Sequence, residues 1–211
     1  MHPPGDPLGE RASASRLAEE DALDPALNDD AAALHALYAN RVTMSFVERL
    51  AAARIGETFN QYAGSSLRRR RLAAYLDVRR DVHLLLVAEA PGYRGTRISG
   101  IPLTSERQLT GAGPAEATAT IVHAVLAELG IESDVLLWNV VPTHPGTACS
   151  NRAPTRQEIE ASAPFLAELS RGRRVIGIGR VAHARLGGPY VRHPAHGGAA
   201  AFRAGLTETL G

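Results

Sequence analysis

Val82-His83-Leu84-Leu85-Leu86-Val87-Ala88 runs directly into Glu89-Ala90-Pro91-Gly92-Tyr93. The first stretch is nearly continuous in apolar residues and short. A strand buried on both faces, as in a parallel sheet, reads this way. Pro91-Gly92 then punctuates the run as a turn. Val135–Val141 and Arg174–Ile178 repeat the pattern, and Tyr190-Val191-Arg192 makes a short fourth strand. Helical patterns lie between and after them. Pro114–Leu129 places Ile121, Val125, Leu126 and Leu129 on one side, with Gly130 as its stop. Thr155 and Glu158 have capping-box spacing and open a helix that reaches Gly172, with Pro164 predicting a kink. Val181–Leu186 and Ala199–Leu210 complete the set. Strands alternating with helices require crossover connections. The expected fold is therefore α/β, three layers of α/β/α around a central four-stranded parallel sheet.

Upstream, Ala31–Tyr38 and Ser45–Ile55 read as two helices, the second closed by Gly56. Ser66–Asp77 reads as a third helix and carries Arg68, Arg69, Arg70 and Arg71. Such a run is more often a solvated face than a phosphate site. Residues 1–25 are rich in Pro, Gly, Ser and charge and are expected to form a mobile tail. Residues 26–211 are expected to form one catalytic domain with N-terminal helices.

The bulk numbers exclude several classes. The chain has 211 residues, 45% of them hydrophobic, which is enough for a sizeable core. Its net charge of +1 selects no partner. Cys149 is the single cysteine, so neither an internal disulfide nor an all-cysteine metal or iron–sulfur site can form within one chain. The eight histidines show no H-E-x-x-H spacing. No apolar run has membrane-spanning length, and the first residues lack a signal-peptide pattern. The expected compartment is the cytoplasm, with no membrane partner.

In an open parallel sheet, ligands bind outside the carboxyl ends of the strands. Glu89 follows the first strand, Asn139 ends the second, Gly179-Arg180 follows the third and His193 follows the fourth. A carboxylate, an amide and an imidazole thus reach one edge on rigid elements. Each alone has an ordinary reading: a turn carboxylate, an amide serving strand-end backbone, a turn histidine. Their joint placement is the stronger signal.

These residues sit in an ordered series of motifs: Ala88-Glu89-Ala90-Pro91-Gly92, Gly100-Ile101-Pro102-Leu103, Trp138-Asn139-Val140-Val141, Asn151-Arg152-Ala153-Pro154-Thr155 with Glu158-Ile159, Val175–Gly179 with Arg180 and Ala182, and His193-Pro194. The series resembles the uracil-DNA glycosylase superfamily, nearest the branch whose first motif is G-E-x-P-G. It spans roughly residues 82–205 in the family's order. Two departures stand out. That branch carries four cysteines around an iron–sulfur cluster, and this chain has one, so no cofactor is expected. The family's usual stacking phenylalanine is replaced by Leu103, an apolar wall without a π-face. A guanidinium lying flat on the base is an alternative, with Arg94, Arg97 and Arg107 as candidates.

The resemblance implies roles. Glu89 would position or activate water and stabilise the cationic sugar. His193 would donate a hydrogen bond to uracil O2. Asn139 would read N3–H and O4. Ala90, Pro91, Gly92 and Tyr93 would line the base, and backbone N–H groups of this turn would add contacts to O2. In the best-known branch a tyrosine blocks the C5-methyl group. Gly92 stands there in this chain, with Tyr93 one residue later, which leaves a looser pocket or a different wall. His196, Gly197 and Gly198 would enter the duplex, and Arg180 would contact DNA. The implied activity is a monofunctional glycosylase, acting as a monomer on uracil-containing DNA, single- or double-stranded, with free uracil as product. Rival readings are a non-catalytic, base-sensing DNA-binding member of the same fold, and, on the bare Gly177-Ile178-Gly179, a nucleotide-binding enzyme.

Overall fold

A computed structural model describes residues 25–211. It divides into two compact units, one ending at Ala39 and one spanning Asn40–Gly211. The expected tail therefore lies almost wholly outside the described residues. Helix α1, Pro25–Ala52, begins in the first unit and ends in the second. It replaces the two helices expected from the sequence. The intervening Ala39–Met44 contains neither Gly nor Pro, so nothing there breaks the ladder. The helix stops before Gly56. Asn60 serves its terminal carbonyls, donating from Nδ2 to Leu50, Ala51 and Ala53 at 2.8, 3.3 and 3.0 Å.

The second unit contains four strands: β1 Leu84–Ala88, β2 Val135–Asn139, β3 Arg174–Ile178 and β4 Tyr190–Val191. All pair in parallel, in the order β2-β1-β3-β4. Helices α2 Ser66–Val78, α3 Thr96–Ser99, α4 Glu106–Thr110 and α5 Ala117–Glu128 precede β2. Helices α6 Arg156–Ser170, α7 Arg180–Leu186 and α8 Ala199–Leu210 follow it. All five residues of β2 and the last four of β1 are buried. Successive side chains point to opposite faces, so both faces of the sheet are covered, giving the three expected layers. Edge strand β2 is shielded too. The Tyr75 hydroxyl accepts from Leu137 N at 2.7 Å, and Arg79 Nε donates to Val135 O at 3.0 Å. Because β1 lies between β2 and β3, the chain reverses direction across the sheet there. The crevice for a ligand opens at the carboxyl end of that reversal.

Two sequence expectations change in their physical meaning. The arginine run on α2 is solvated only at Arg70; the other three guanidiniums are engaged within the fold. Arg68 donates to the Ile98 and Gln61 carbonyls, Arg69 to the Tyr62 and Ala63 carbonyls, and Arg71 pairs with Glu106 through two 2.8 Å bonds. Arg68 and Arg71 therefore brace the segment that carries Leu103, whereas Arg69 holds the turn before α2. Helix α6 also continues through Pro164.

The capping box at α6 forms as expected. Thr155 Oγ1 accepts from Glu158 N at 3.2 Å, and Glu158 Oε2 accepts from Thr155 N at 2.8 Å. Arg152 adds a bidentate pair at 2.8 and 2.5 Å. Glu158 is 2% exposed, and the Arg152 bonds hold its carboxyl down at about 2. Its folded pKa lies below the usual 4.5, so its stabilisation is complete above that value and lost as pH falls through about 2. Glu158→Gln is expected to cost about 2–3 kcal/mol at neutral pH. The gap from wild type should close toward pH 2, as urea unfolding at several pH values would show.

Candidate active site

The edge at the carboxyl ends of the strands gathers the polar residues. Asn139 is the last residue of β2, in register with Ala88. Glu89 follows immediately on β1, and its carbonyl accepts from Val141 N at 3.1 Å. His193 follows β4 and packs on the end of β3. A Cβ on Gly179 would lie 3.1 Å from the His193 Cβ, and Gly179 holds φ +85°. Only glycine suits that conformation and that approach.

Asn139 is 2% exposed, and both its Oδ1 and its Nδ2 are buried without a hydrogen-bond partner. Among the described residues no other side chain has both polar atoms stranded in this way. Buried amides are normally satisfied, so one donor and one acceptor held unpaired side by side fit a ligand edge that offers the reciprocal pair.

His193 is half-buried. Its Nδ1 accepts from Ala195 N at 3.1 Å, which leaves the proton on Nε2. Burial, followed by nearby His196 and Arg192, lowers its pKa below the usual value. A neutral ring with a free Nε2–H results. Glu89 is also half-buried, and burial raises its carboxyl above the usual carboxylate range. One group is kept neutral and the other is poised to accept a proton, a pairing common at catalytic sites.

The turn after Glu89 is held from the β2 side. His144 is fully buried, and its ring bridges the Pro91 and Thr147 carbonyls at 2.8 Å each. Tyr93 N donates to Asn151 Oδ1 at 2.9 Å. Pro91 is buried, and Ala90, Gly92 and Tyr93 are partly so. In the sequence His144 showed only as a second His-Pro dipeptide; its anchoring role lies in three-dimensional contacts.

Leu103 is 5% exposed and holds φ +52°. Its N–H donates to Thr96 Oγ1 at 3.1 Å. Only Leu103 and His196 among the described non-glycine residues have positive φ, and both belong to the residues singled out by sequence. Backbone in this region is costly for non-glycine residues and tends to concentrate where function requires it. The arginines differ. Arg97 lies over the Phe59 ring at 4.7 Å, Arg94 lies 5.6 Å from the Tyr93 ring, and Arg107 donates to the Gly113 carbonyl at 3.0 Å. Phe59, 45% exposed, was missed by the sequence reading; its backbone pairs with that of His144 at 2.8 and 3.0 Å.

Arg180 is exposed at the start of α7. His196 and Gly197 are exposed in the loop before α8, whereas Gly198 is buried. A Cβ on Gly198 would clash with the His193 carbonyl, so a glycine is what lets the loop close here. No group of three or more metal-ligating side chains occurs among the described residues. No described helix is long and apolar enough to cross a membrane. A separate groove of about 700 Å³ between α5 and α8 is lined by small and apolar residues such as Ala124, Val125 and Ala200 together with Arg203, which pairs with Glu128 at 2.8 Å. It lacks the convergent polar groups of the strand-end edge.

One missed residue stands against the Gly92 turn. The carboxyl of Glu116, just before α5, would lie 1.7 Å from a Cβ on Gly92 and 1.8 Å from one on Gly95. At a helix start, an acid reads simply as favourable to the helix dipole, so nothing in the sequence separated it from many others.

Residues 77–205 match the family model described as the uracil DNA glycosylase superfamily. The structure is similar to that of SMUG2 from Pedobacter heparinus, with a TM-score of 0.58 and 12% identity, over 80% of this chain and 96% of that one. At that identity the likeness concerns the fold. No curated protein matches the sequence.

Proposed function

Since this chain belongs to the uracil-DNA glycosylase superfamily, we propose that it excises uracil from DNA by hydrolysing the N-glycosidic bond, leaving an abasic site. The paired, unpartnered Oδ1 and Nδ2 of buried Asn139 carry this reading. Oδ1 accepts from uracil N3–H and Nδ2 donates to O4. Cytosine offers an acceptor at N3 and a donor at C4, so a fixed amide rejects it.

A base inside a duplex is out of reach, so the nucleotide is extruded into the pocket at a cost of a few kcal/mol. Bond breaking leaves positive charge on the sugar and negative charge on the departing base. His193 donates Nε2–H to O2, where the negative charge collects, and does so as a neutral ring. Glu89 orients the attacking water, takes its proton and faces the cationic sugar. Leu103 supplies an apolar wall, and the exposed Arg94, Arg180, His196 and Gly197 serve as the DNA contacts in this reading.

The test is base release from single- and double-stranded oligonucleotides containing uracil, thymine, hypoxanthine or xanthine. Uracil release is the expected result. Tight DNA binding with no release would instead identify a base-sensing binding module. His193→Ala is expected to lower single-turnover uracil release by about two to three decades. A near-normal rate would refute the O2 assignment.

A further inference from the structure

We propose that Glu116 is a specificity-determining residue whose carboxyl group walls off the 5-position of the bound pyrimidine, admitting uracil and excluding thymine. The inference rests on the uracil reading above and deepens it.

The first observation is the placement of the carboxyl group. Glu116 is the N-cap residue of α5, yet its side chain makes no cap hydrogen bond. Instead it turns onto the segment that follows Glu89. One oxygen occupies the space of a Gly92 side chain and the other that of a Gly95 side chain. Any side chain at either glycine would displace it. The carboxyl makes no ion pair among the described residues, and burial raises its pKa. The carboxyl is thus half-buried against the turn, with neither a helix cap nor an ion pair to account for its placement.

The second observation is the direction of the base. In the sheet order β2-β1-β3-β4, Asn139 stands at the β2 end and His193 at the β4 end. A pyrimidine that gives O2 to His193 and the N3–O4 edge to Asn139 lies across that edge. Ring atom C5 is diametrically opposite C2. It therefore points away from His193, toward the β2 side and the loops there. The Gly92–Gly95 turn stands on that side, fastened to the β2 loop by His144 on Pro91 and by Asn151 on Tyr93. Glu116 fills the side-chain space of this turn. A hydrogen at C5 fits against such a surface, whereas a methyl group meets a filled wall backed by a braced turn.

Single-turnover release of uracil and of thymine from the same mispair context tests this in wild type, Glu116→Gln, Glu116→Ala and Glu116→Ser. Serine is a favoured N-cap residue, so it removes the wall while supporting the start of α5. Glutamine keeps the shape of the wall, and its uracil-to-thymine rate ratio should stay within a few-fold of wild type. Alanine and serine should lower that ratio by about 10–200-fold, the range that one methyl group commands in a pocket, with thymine release rising in absolute rate. A merely structural residue would slow both bases together and leave the ratio unchanged. Folded alanine or serine variants that release uracil at the wild-type ratio would overturn the proposal, as would a wild type that releases thymine as readily as uracil. A wild type that releases no uracil at all would overturn the functional reading itself.

Discussion

Asn139→Ala is expected to lower uracil release by about two to three decades while leaving the folded protein as stable as wild type, or more so. The two effects have one cause. Asn139 is 2% exposed, and neither atom of its amide has a hydrogen-bond partner. A buried polar group left unpaired costs about 1–3 kcal/mol. Truncation to alanine removes that cost and loses some packing at the end of β2, so the net change should be small or favourable. A residue that merely served the strand end would behave oppositely, since its loss would orphan backbone partners and lower the melting temperature. Asn139→Leu sharpens the contrast, because it fills the volume with apolar atoms and leaves the reading of N3–H and O4 empty. Thermal melts and single-turnover assays on the same samples check the prediction. A variant that melts several degrees lower but still releases uracil would show Asn139 to be a structural amide.

The strand-end logic that singled out Asn139 was legible because burial on both faces leaves strands nearly continuous in apolar residues. The first polar residue after each run then marks the carboxyl edge. Glu89, Asn139 and His193 were found that way, and the four-stranded parallel sheet followed from the same runs. Other features left no such mark. Helices α3 and α4 span four and five residues, too short for a periodic signal. Four consecutive arginines on a helix point in four directions about its axis. Composition therefore cannot show that Arg68, Arg69 and Arg71 reach backbone carbonyls or Glu106. The positive φ of Leu103 accompanies bonds from its N–H to Thr96 Oγ1 and from Ser99 Oγ to the Thr104 carbonyl, side-chain contacts within a loop that no periodic pattern marks. Glu116 meets Gly92 across more than twenty residues of chain. Its partner glycines looked like ordinary turn residues until the carboxyl was seen beside them.

Glu89→Gln is expected to lower uracil release by about two to three decades and to remove the acid limb of the pH profile. Water activation requires the ionised carboxylate. Burial raises the Glu89 pKa, so the proton leaves above the usual value of 4.5, and activity in wild type should climb with pH through that raised value. His193 adds no limb on the alkaline side. Its ring is already neutral at pH 7, because burial lowers its pKa below 6.5, and it acts through the Nε2–H that the neutral ring retains. Wild type should therefore show an acid limb and then a plateau through neutral pH, without the fall near 6.5 that an obligatory imidazolium would impose. Glutamine keeps the size and hydrogen-bonding reach of the side chain but has no proton to lose in this range. Its residual rate should be flat where the wild-type rate is rising. Measuring kcat/KM for both enzymes from pH 4 to 9 separates the assignments. A Glu89→Gln enzyme that kept the wild-type acid limb would move the base to another group, and the half-buried carboxyl of Glu116, itself raised by burial, would be the next one to test.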